Sequence, residues 1–147
     1  MRVGFIGAGK MAKAMIRGLI SHGIEPGEIL VCTSNPVSCA AVSSEYGVRG
    51  CESPAEVAKE ANILVLAVKP VHVRDVLSHP DIRMNSRHLL ISVAAGIRIS
   101  TLRTYVPDAR IVRVMPNLCS AVMSGVSCYT MGDGTDSDDE KTVRMML

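Results

Sequence analysis

Gly7, Gly9 and Ala12 stand at fixed spacing within GFIGAGKMA (4–12), a G-x-G-x-x-A pattern that opens almost with the chain. The chemistry these residue types allow is close approach of a main chain to a pyrophosphate. Gly7 permits a tight turn, Gly9 lets the backbone come near the phosphates, and Ala12 lets a helix pack closely on the strand before it. The phosphates then rest on the unpaired amides and partial positive charge of a helix N-terminus. Taken alone the pattern is also that of a plain strand–helix turn. Between a buried strand and an amphipathic helix it reads as a dinucleotide site formed by Ile6, Gly7, Ala8, Gly9, Lys10 and Met11.

The next chemically informative stretch is Cys32-Thr33-Ser34-Asn35-Pro36. At the end of the second strand an NAD enzyme usually places an acid that accepts hydrogen bonds from the ribose 2′-hydroxyl. Here no acid is present to repel a 2′-phosphate, and the hydroxyls of Thr33 and Ser34 and the amide of Asn35 are neutral donors for one. The reading favours NADP. Ser34-Asn35-Pro36 is equally suited to capping the following helix.

Ala67-Val68-Lys69-Pro70 follows a fourth strand pattern, and Val93-Ala94-Ala95 follows a fifth within SVAAG. In a doubly wound sheet the carboxyl ends of the strands line the ligand crevice. The first turn is therefore expected near the middle of the cofactor, and the second offers small residues suited to a flat ring. Met115-Pro116-Asn117 follows a sixth strand pattern, where Asn117 is a candidate to hydrogen-bond substrate or the nicotinamide carboxamide.

The elements that must hold these residues follow from periodicity. RVGFI, EILVCT, NILVLAV, HLLISVAA and ARIVRVM are short apolar runs, as expected for parallel strands covered on both faces. Val48 to Gly50 is a short strand and GVSCYTM (125–131) a last one. MAKAMIRGLISHG carries apolar residues at helical spacing and ends at Gly23. Helices are also expected over Pro36 to Tyr46, after Ser53-Pro54, and within VHVRDVLSH and ISTLRTYV. Repeated strand–helix–strand units predict an α/β fold, a Rossmann-like doubly wound and mainly parallel sheet with helices on both faces. The predicted division is a binding domain over 1–132 and, over 133–147, an acidic turn with the start of a helix.

Composition narrows the function. The chain has 147 residues, a formal charge of +2, one phenylalanine, three tyrosines and no tryptophan. No basic block and few stacking rings are available for nucleic acid, so that class of partner is set aside. No apolar run approaches the roughly 18 residues of a membrane span, and the chain runs directly into its first strand pattern, leaving no room for a leader. Five cysteines without a CxxC pair read as buried free thiols in a reducing cytosol, so a cytoplasmic protein is expected. DGTDSDDEK (133–141) reads as a solvated turn leading into a helix capped by Ser137 or Asp138; a calcium loop would need a longer ligand series ending in glutamate. His22, His72, His79 and His88 show no catalytic or metal-ligand spacing, and no metal site is expected.

GFIGAGxMAxAM, SNP, AVKP, S-x-AAG and RVMPN, in this order, resemble pyrroline-5-carboxylate reductase. The resemblance runs strongly from Arg2 to Asn117 and weakly beyond. It implies NADPH-dependent, sometimes NADH-dependent, reduction of the cyclic imine of 1-pyrroline-5-carboxylate to L-proline, the last step of proline biosynthesis. It further places the pyrophosphate at Ile6 to Met11 and the 2′-phosphate near Ser34 and Asn35. Nicotinamide and its ribose would meet Ala67 to Pro70 and Val93 to Ala95, and Asn117 matches the family's MPN asparagine. Leu118-Cys119 replace a common Thr-Pro, and Pro54 stands where relatives often carry an asparagine at the adenosine ribose.

Family members continue well beyond this length into an all-helical domain that makes the dimer, binds the substrate carboxylate and lines the imine. The resemblance therefore implies a truncated chain holding the cofactor domain, with no catalytic residue of its own and oligomerisation through the missing domain. An F420-dependent or β-hydroxyacid dehydrogenase-like NADP oxidoreductase, or a non-catalytic NADP-binding module, stays open as an alternative.

Overall fold

The computed structural model describes residues 1–116 and 127–147. Asn117, together with Cys119, lies outside the described residues.

Seven strands form one sheet, β1 (Val3–Ile6), β2 (Ile29–Cys32), β3 (Arg49–Gly50), β4 (Ile63–Leu66), β5 (Leu89–Ser92), β6 (Arg110–Met115) and β7 (Cys128–Met131). Their spatial order is β3-β2-β1-β4-β5-β6-β7. The first six are parallel, and β7 pairs antiparallel with β6. The chain winds outward from β1 in one direction to β3, then crosses back beside β1 to lay down β4. That reversal is the topological switch point of a doubly wound fold, where ligands bind.

Helices cover both faces because every residue of β1, β2, β4 and β5 is buried. On one face, Val3, Phe5, Val31, Val65 and Ile91 pack with α1 (Lys10–Ser21), α2 (Pro36–Tyr46) and α6 (Ser137–Met146). On the other, Ile6, Leu64, Leu66 and Leu90 pack with α3 (Pro54–Glu60), α4 (Val73–Leu77) and α5 (Ile99–Tyr105). The continuous apolar runs in the sequence are thus strands with no wet side. Gly4 faces α3 so closely that a Cβ would lie 2.2 Å from Val57 Cγ1.

Local signals set the helix ends. Asn35 Oδ1 accepts from the Val37 amide, Pro36 opens α2 with its preset φ, and Gly47 ends it at φ 69°. Ser53 Oγ accepts from the Glu56 amide to start α3. His88 is fully buried; its Nδ1 accepts from the Asn85 amide and its Nε2–H donates to the Ala58 carbonyl, so it is a structural tie between α3 and β5.

Four expectations change. The cap of α6 is Asp136, one or two residues earlier than Ser137 or Asp138: its carboxylate accepts from the amides of both Asp138 and Asp139, and Asp139 returns a bond to the Asp136 amide. The acidic stretch is not wholly solvated, since Asp139 is buried against Arg110 of β6. Cys128 is exposed, while Cys32, Cys39 and Cys51 are buried. The last strand, β7, runs from Cys128 to Met131 against the others, and Gly125 and Val126 of the expected strand lie outside the described residues. Among the described residues, no helix is long and apolar enough to cross a membrane.

Candidate cofactor-binding site

Backbone hydrogen bonds stitch four strand ends into one row at the carboxyl edge. The Gly7 amide donates to Cys32 O (2.9 Å), the Ala67 amide to Ile6 O (2.8 Å) and the Val93 amide to Leu66 O (3.1 Å). These bonds set the ends of β2, β1, β4 and β5 side by side, each about 4.8 Å from the next. Three of the segments singled out in the sequence, the glycine turn, Ala67 to Pro70 and Val93 to Ala95, therefore share one crevice edge with the Thr33–Asn35 turn.

The two glycines of the turn do different work. Gly7 has φ +98°, and a Cβ there would lie 2.6 Å from Ala67 O and 2.8 Å from Ala67 C. The fold itself requires glycine at that position. Gly9 has an ordinary φ of −71°, and a Cβ built on it meets no atom within 4 Å. Among the described residues nothing requires glycine there, and open space lies over its backbone.

That space adjoins the start of α1, which no side chain caps and whose first turn carries no acid. α2, α3 and α6 are each capped by a side chain, and of the helices without one, α1, α4 and α5, α1 is the one that follows the glycine turn. The first amides of α1 are thus left with donors for an anion, and Ala12 is buried where the helix meets the sheet. An open cradle over a glycine at an uncapped helix start fits a pyrophosphate.

At the β2 turn, Thr33 Oγ1 donates to Asn35 O (2.6 Å) and Asn35 Oδ1 is held as the α2 cap. Both capping and ligand readings of this turn are compatible, because the Asn35 amide protons and the exposed Ser34 hydroxyl remain available. Ile6 and Ala94 are buried, their side chains in the core on the α3 face. Val68 is half-buried, Lys69 and Pro70 are exposed, and so is Ala95. Lys10, Lys69 and Arg98 stand at this edge, and none has an ion pair among the described residues. Three unpaired cations raise the local potential for an anionic ligand. Arg98 escaped the sequence reading, which stopped at the small residues before Gly96; the signal was a basic residue just past a turn glycine, at φ 74°.

Three thiols lie beneath the β2 turn. Burial, reinforced by the neighbouring Cys51 and Cys39 thiols, pushes the Cys32 pKa from its ordinary 9.0 to about 12. A raised thiol pKa leaves the folded state holding a proton that the unfolded chain releases, so this stability is complete below pH 9.0 and is lost as pH climbs towards 12. The loss is on the order of a few kcal/mol. Thermal melts followed by circular dichroism should fall more steeply with pH above 9.0 for the parent than for Cys32→Ala. Parallel profiles for the two proteins would refute this origin of alkaline sensitivity.

The family model for NADP oxidoreductase, coenzyme F420-dependent, matches residues 2–96. The chain belongs to this family. Members are NADP-dependent oxidoreductases, so NADP is the family cofactor. Within it, the chain is 40% identical over 131 residues to pyrroline-5-carboxylate reductase of Escherichia coli, covering 88% of this chain and 49% of the relative. It is 33% identical over 147 residues to the pyrroline-5-carboxylate reductase of Arabidopsis thaliana, covering 99% and 53%. The pyrroline carboxylate reductase of Plasmodium falciparum, solved with NADP bound, superposes with a TM-score of 0.86 at 28% identity, over 99% of this chain and 53% of that one. The resemblance carried by the motifs therefore holds along the chain, which spans about half the length of these relatives.

Proposed function

We propose that this chain is the NADP-binding part of a pyrroline-5-carboxylate reductase that reduces the cyclic imine of 1-pyrroline-5-carboxylate to L-proline in the cytoplasm. The observation that carries the cofactor assignment is the open backbone of Gly9 at the uncapped start of α1, on the switch point of the sheet. The substrate assignment rests on the relatives that share these motifs.

In this reading the main chain from Ile6 to Met11 holds the pyrophosphate, with the Lys10 ammonium beside it. Ser34 and Asn35 donate to the 2′-phosphate. Ala67, Val68, Lys69 and Pro70 face the nicotinamide ribose, and Val93, Ala94 and Ala95 give the ring a flat, small-residue wall. Asn117 belongs to the nicotinamide end. When bound, NADPH supplies the hydride; the residues of this chain position and orient it. Because hydride transfer needs donor and acceptor within about 3–3.5 Å, the second wall of the site has to come from outside residues 1–132. An all-helical second domain, which also joins the subunits of an oligomer, would supply it, with 133–147 leading towards it. The chain alone is then expected to bind NADPH weakly and to turn over poorly.

Calorimetric titration tests the cofactor. NADPH should bind more tightly than NADH, but by a modest factor, because only neutral groups meet the 2′-phosphate. Absence of binding, or a preference for NADH, overturns the assignment. For the substrate, NADPH oxidation by a longer protein carrying this chain should depend on 1-pyrroline-5-carboxylate. Dependence on coenzyme F420 or a β-hydroxyacid instead would move it to another branch of the family, and dependence on none of them would leave a binding module.

A further inference from the structure

We propose that Cys32 and Cys51 are a thiol–disulfide pair whose oxidation displaces the β2 turn and weakens NADP binding, the second clause resting on the cofactor reading above. The pair is set by strand register. Leu30 pairs with Arg49 and Val31 with Gly50, and the Cys51 amide donates to Val31 O (2.8 Å), so the ladder continues one step and sets Cys51 beside Cys32. Both side chains lie in the same core cluster, on the α3 face of the sheet. Neighbouring strands run about 4.8 Å apart, inside the Cα separation of about 4.4–6.8 Å that a disulfide spans.

The other thiols among the described residues are placed differently. Cys39 belongs to the opposite face, and its S–H donates to Val31 O and Cys51 O (3.4 and 3.7 Å). Cys128 stands on β7 at the far side of the sheet. Access to the pair runs through β3, a two-residue edge strand with both residues exposed, which among the described residues pairs as a strand with β2 alone and is tied to α3 by Arg49 on Glu56 and Glu60. Burial keeps Cys32 and Cys51 protonated, with pKa values pushed up to about 12 and about 11. The closed edge therefore reacts slowly, and fraying of β3 sets the rate.

The oxidant is a small disulfide such as oxidised glutathione. The Cys51 thiolate attacks one of its sulfurs, forming a mixed disulfide and releasing one glutathione thiolate. The Cys32 thiolate then attacks the Cys51 sulfur and releases the second. The protein loses two electrons and two protons, and two glutathione thiols are formed. Closing the bond requires Cβ atoms about 3.8 Å apart, which draws the ends of β2 and β3 together at Cys32 and Cys51. Cys32 O accepts from the Gly7 amide and Cys32 leads directly into Thr33–Asn35, so the glycine turn and the β2 turn both feel the movement.

The test incubates the chain with oxidised glutathione near pH 8, blocks remaining thiols with N-ethylmaleimide and maps peptides by mass spectrometry. A Cys32–Cys51 cross-link that dithiothreitol reverses is expected, retained in Cys39→Ser and lost in Cys51→Ser. NADPH affinity should drop roughly ten-fold on oxidation, and by linkage saturating NADPH should bias the pair towards its reduced form by the same factor. Glutathione confined to Cys128, or a cross-link through Cys39, overturns the proposal. A correct cross-link with unchanged NADPH affinity overturns the coupling. Failure of the reduced chain to bind NADPH at all would instead sink the cofactor reading, and the pair would still be judged by its cross-link.

Discussion

Gly9→Ala should leave the fold intact and remove most of the NADPH binding. A Cβ at Gly9 enters empty space on a backbone with φ −71°, a conformation alanine adopts freely. Restricting the unfolded chain gains about 0.4–1 kcal/mol, which the poorer N-cap offsets, so the variant should be about as stable as the parent. The same methyl group occupies the place a pyrophosphate must take to reach the first amides of α1, so affinity should fall roughly 100-fold, about 2.7 kcal/mol. Gly7→Ala is the contrasting variant. It forces alanine to φ +98° and drives a methyl group onto the Ala67 carbonyl, costing about 2–4 kcal/mol of stability. Calorimetry with NADPH and thermal melts separate the two. If Gly9→Ala binds as the parent does, the pyrophosphate lies elsewhere. If Gly7→Ala melts at the parent temperature, the close approach to Ala67 is not the reason for glycine.

Arg110→Ala should be strongly destabilising although it lies remote from the crevice. Arg110, at the start of β6, pairs with the Asp139 carboxylate and donates to the carbonyls of Ser86 and Arg87, tying α6 and the loop before β5 to the sheet. Asp139 is 3% exposed, so removing its partner leaves a buried carboxylate without a counter-charge. We expect a loss of about 2–4 kcal/mol, given that the arginine itself is partly solvated. The melting temperature should fall by roughly 10 °C. Lys141→Ala, which removes an exposed pair with Asp138, should change stability by less than about 0.5 kcal/mol. Equal melting temperatures for the two variants would show that α6 is held by its apolar contacts, Val143 and Met146, and not by this pair.

Much of the architecture could be read from local chemistry, and the exceptions are informative. The α2 bounds were legible because Asn35-Pro36 starts a helix and Gly47 stops one within a single short window. The four buried strands were legible because a strand covered on both faces is apolar throughout. The direction of β7 was not, since alternation of exposed and half-buried residues is the same for parallel and antiparallel pairing. The cap of α6 was misplaced because Asp136, Ser137 and Asp138 are all competent caps, and only the tertiary position of Asp139 chooses among them. Burial of Asp139 depends on Arg110, 29 residues earlier in the chain and on another element, which no local pattern reports. In the crevice, the glycine turn and the turns after β2, β4 and β5 were legible from their order. The distinction between Gly7, which the fold needs, and Gly9, which the described fold leaves open, came from space around the backbone, which residue type alone does not encode.

The stitched row of strand ends has a consequence for how this domain can evolve. In the proposed reading its grip on an anion would use main-chain amides and the open backbone at Gly9, held in register by bonds between Cys32, Ile6, Leu66 and their neighbours' amides. Main-chain groups survive substitution at almost every other position along that edge. Surrounding side chains are therefore free to drift with whatever second body closes the crevice, and one anchoring frame can serve many reactions while its sequence becomes unrecognisable.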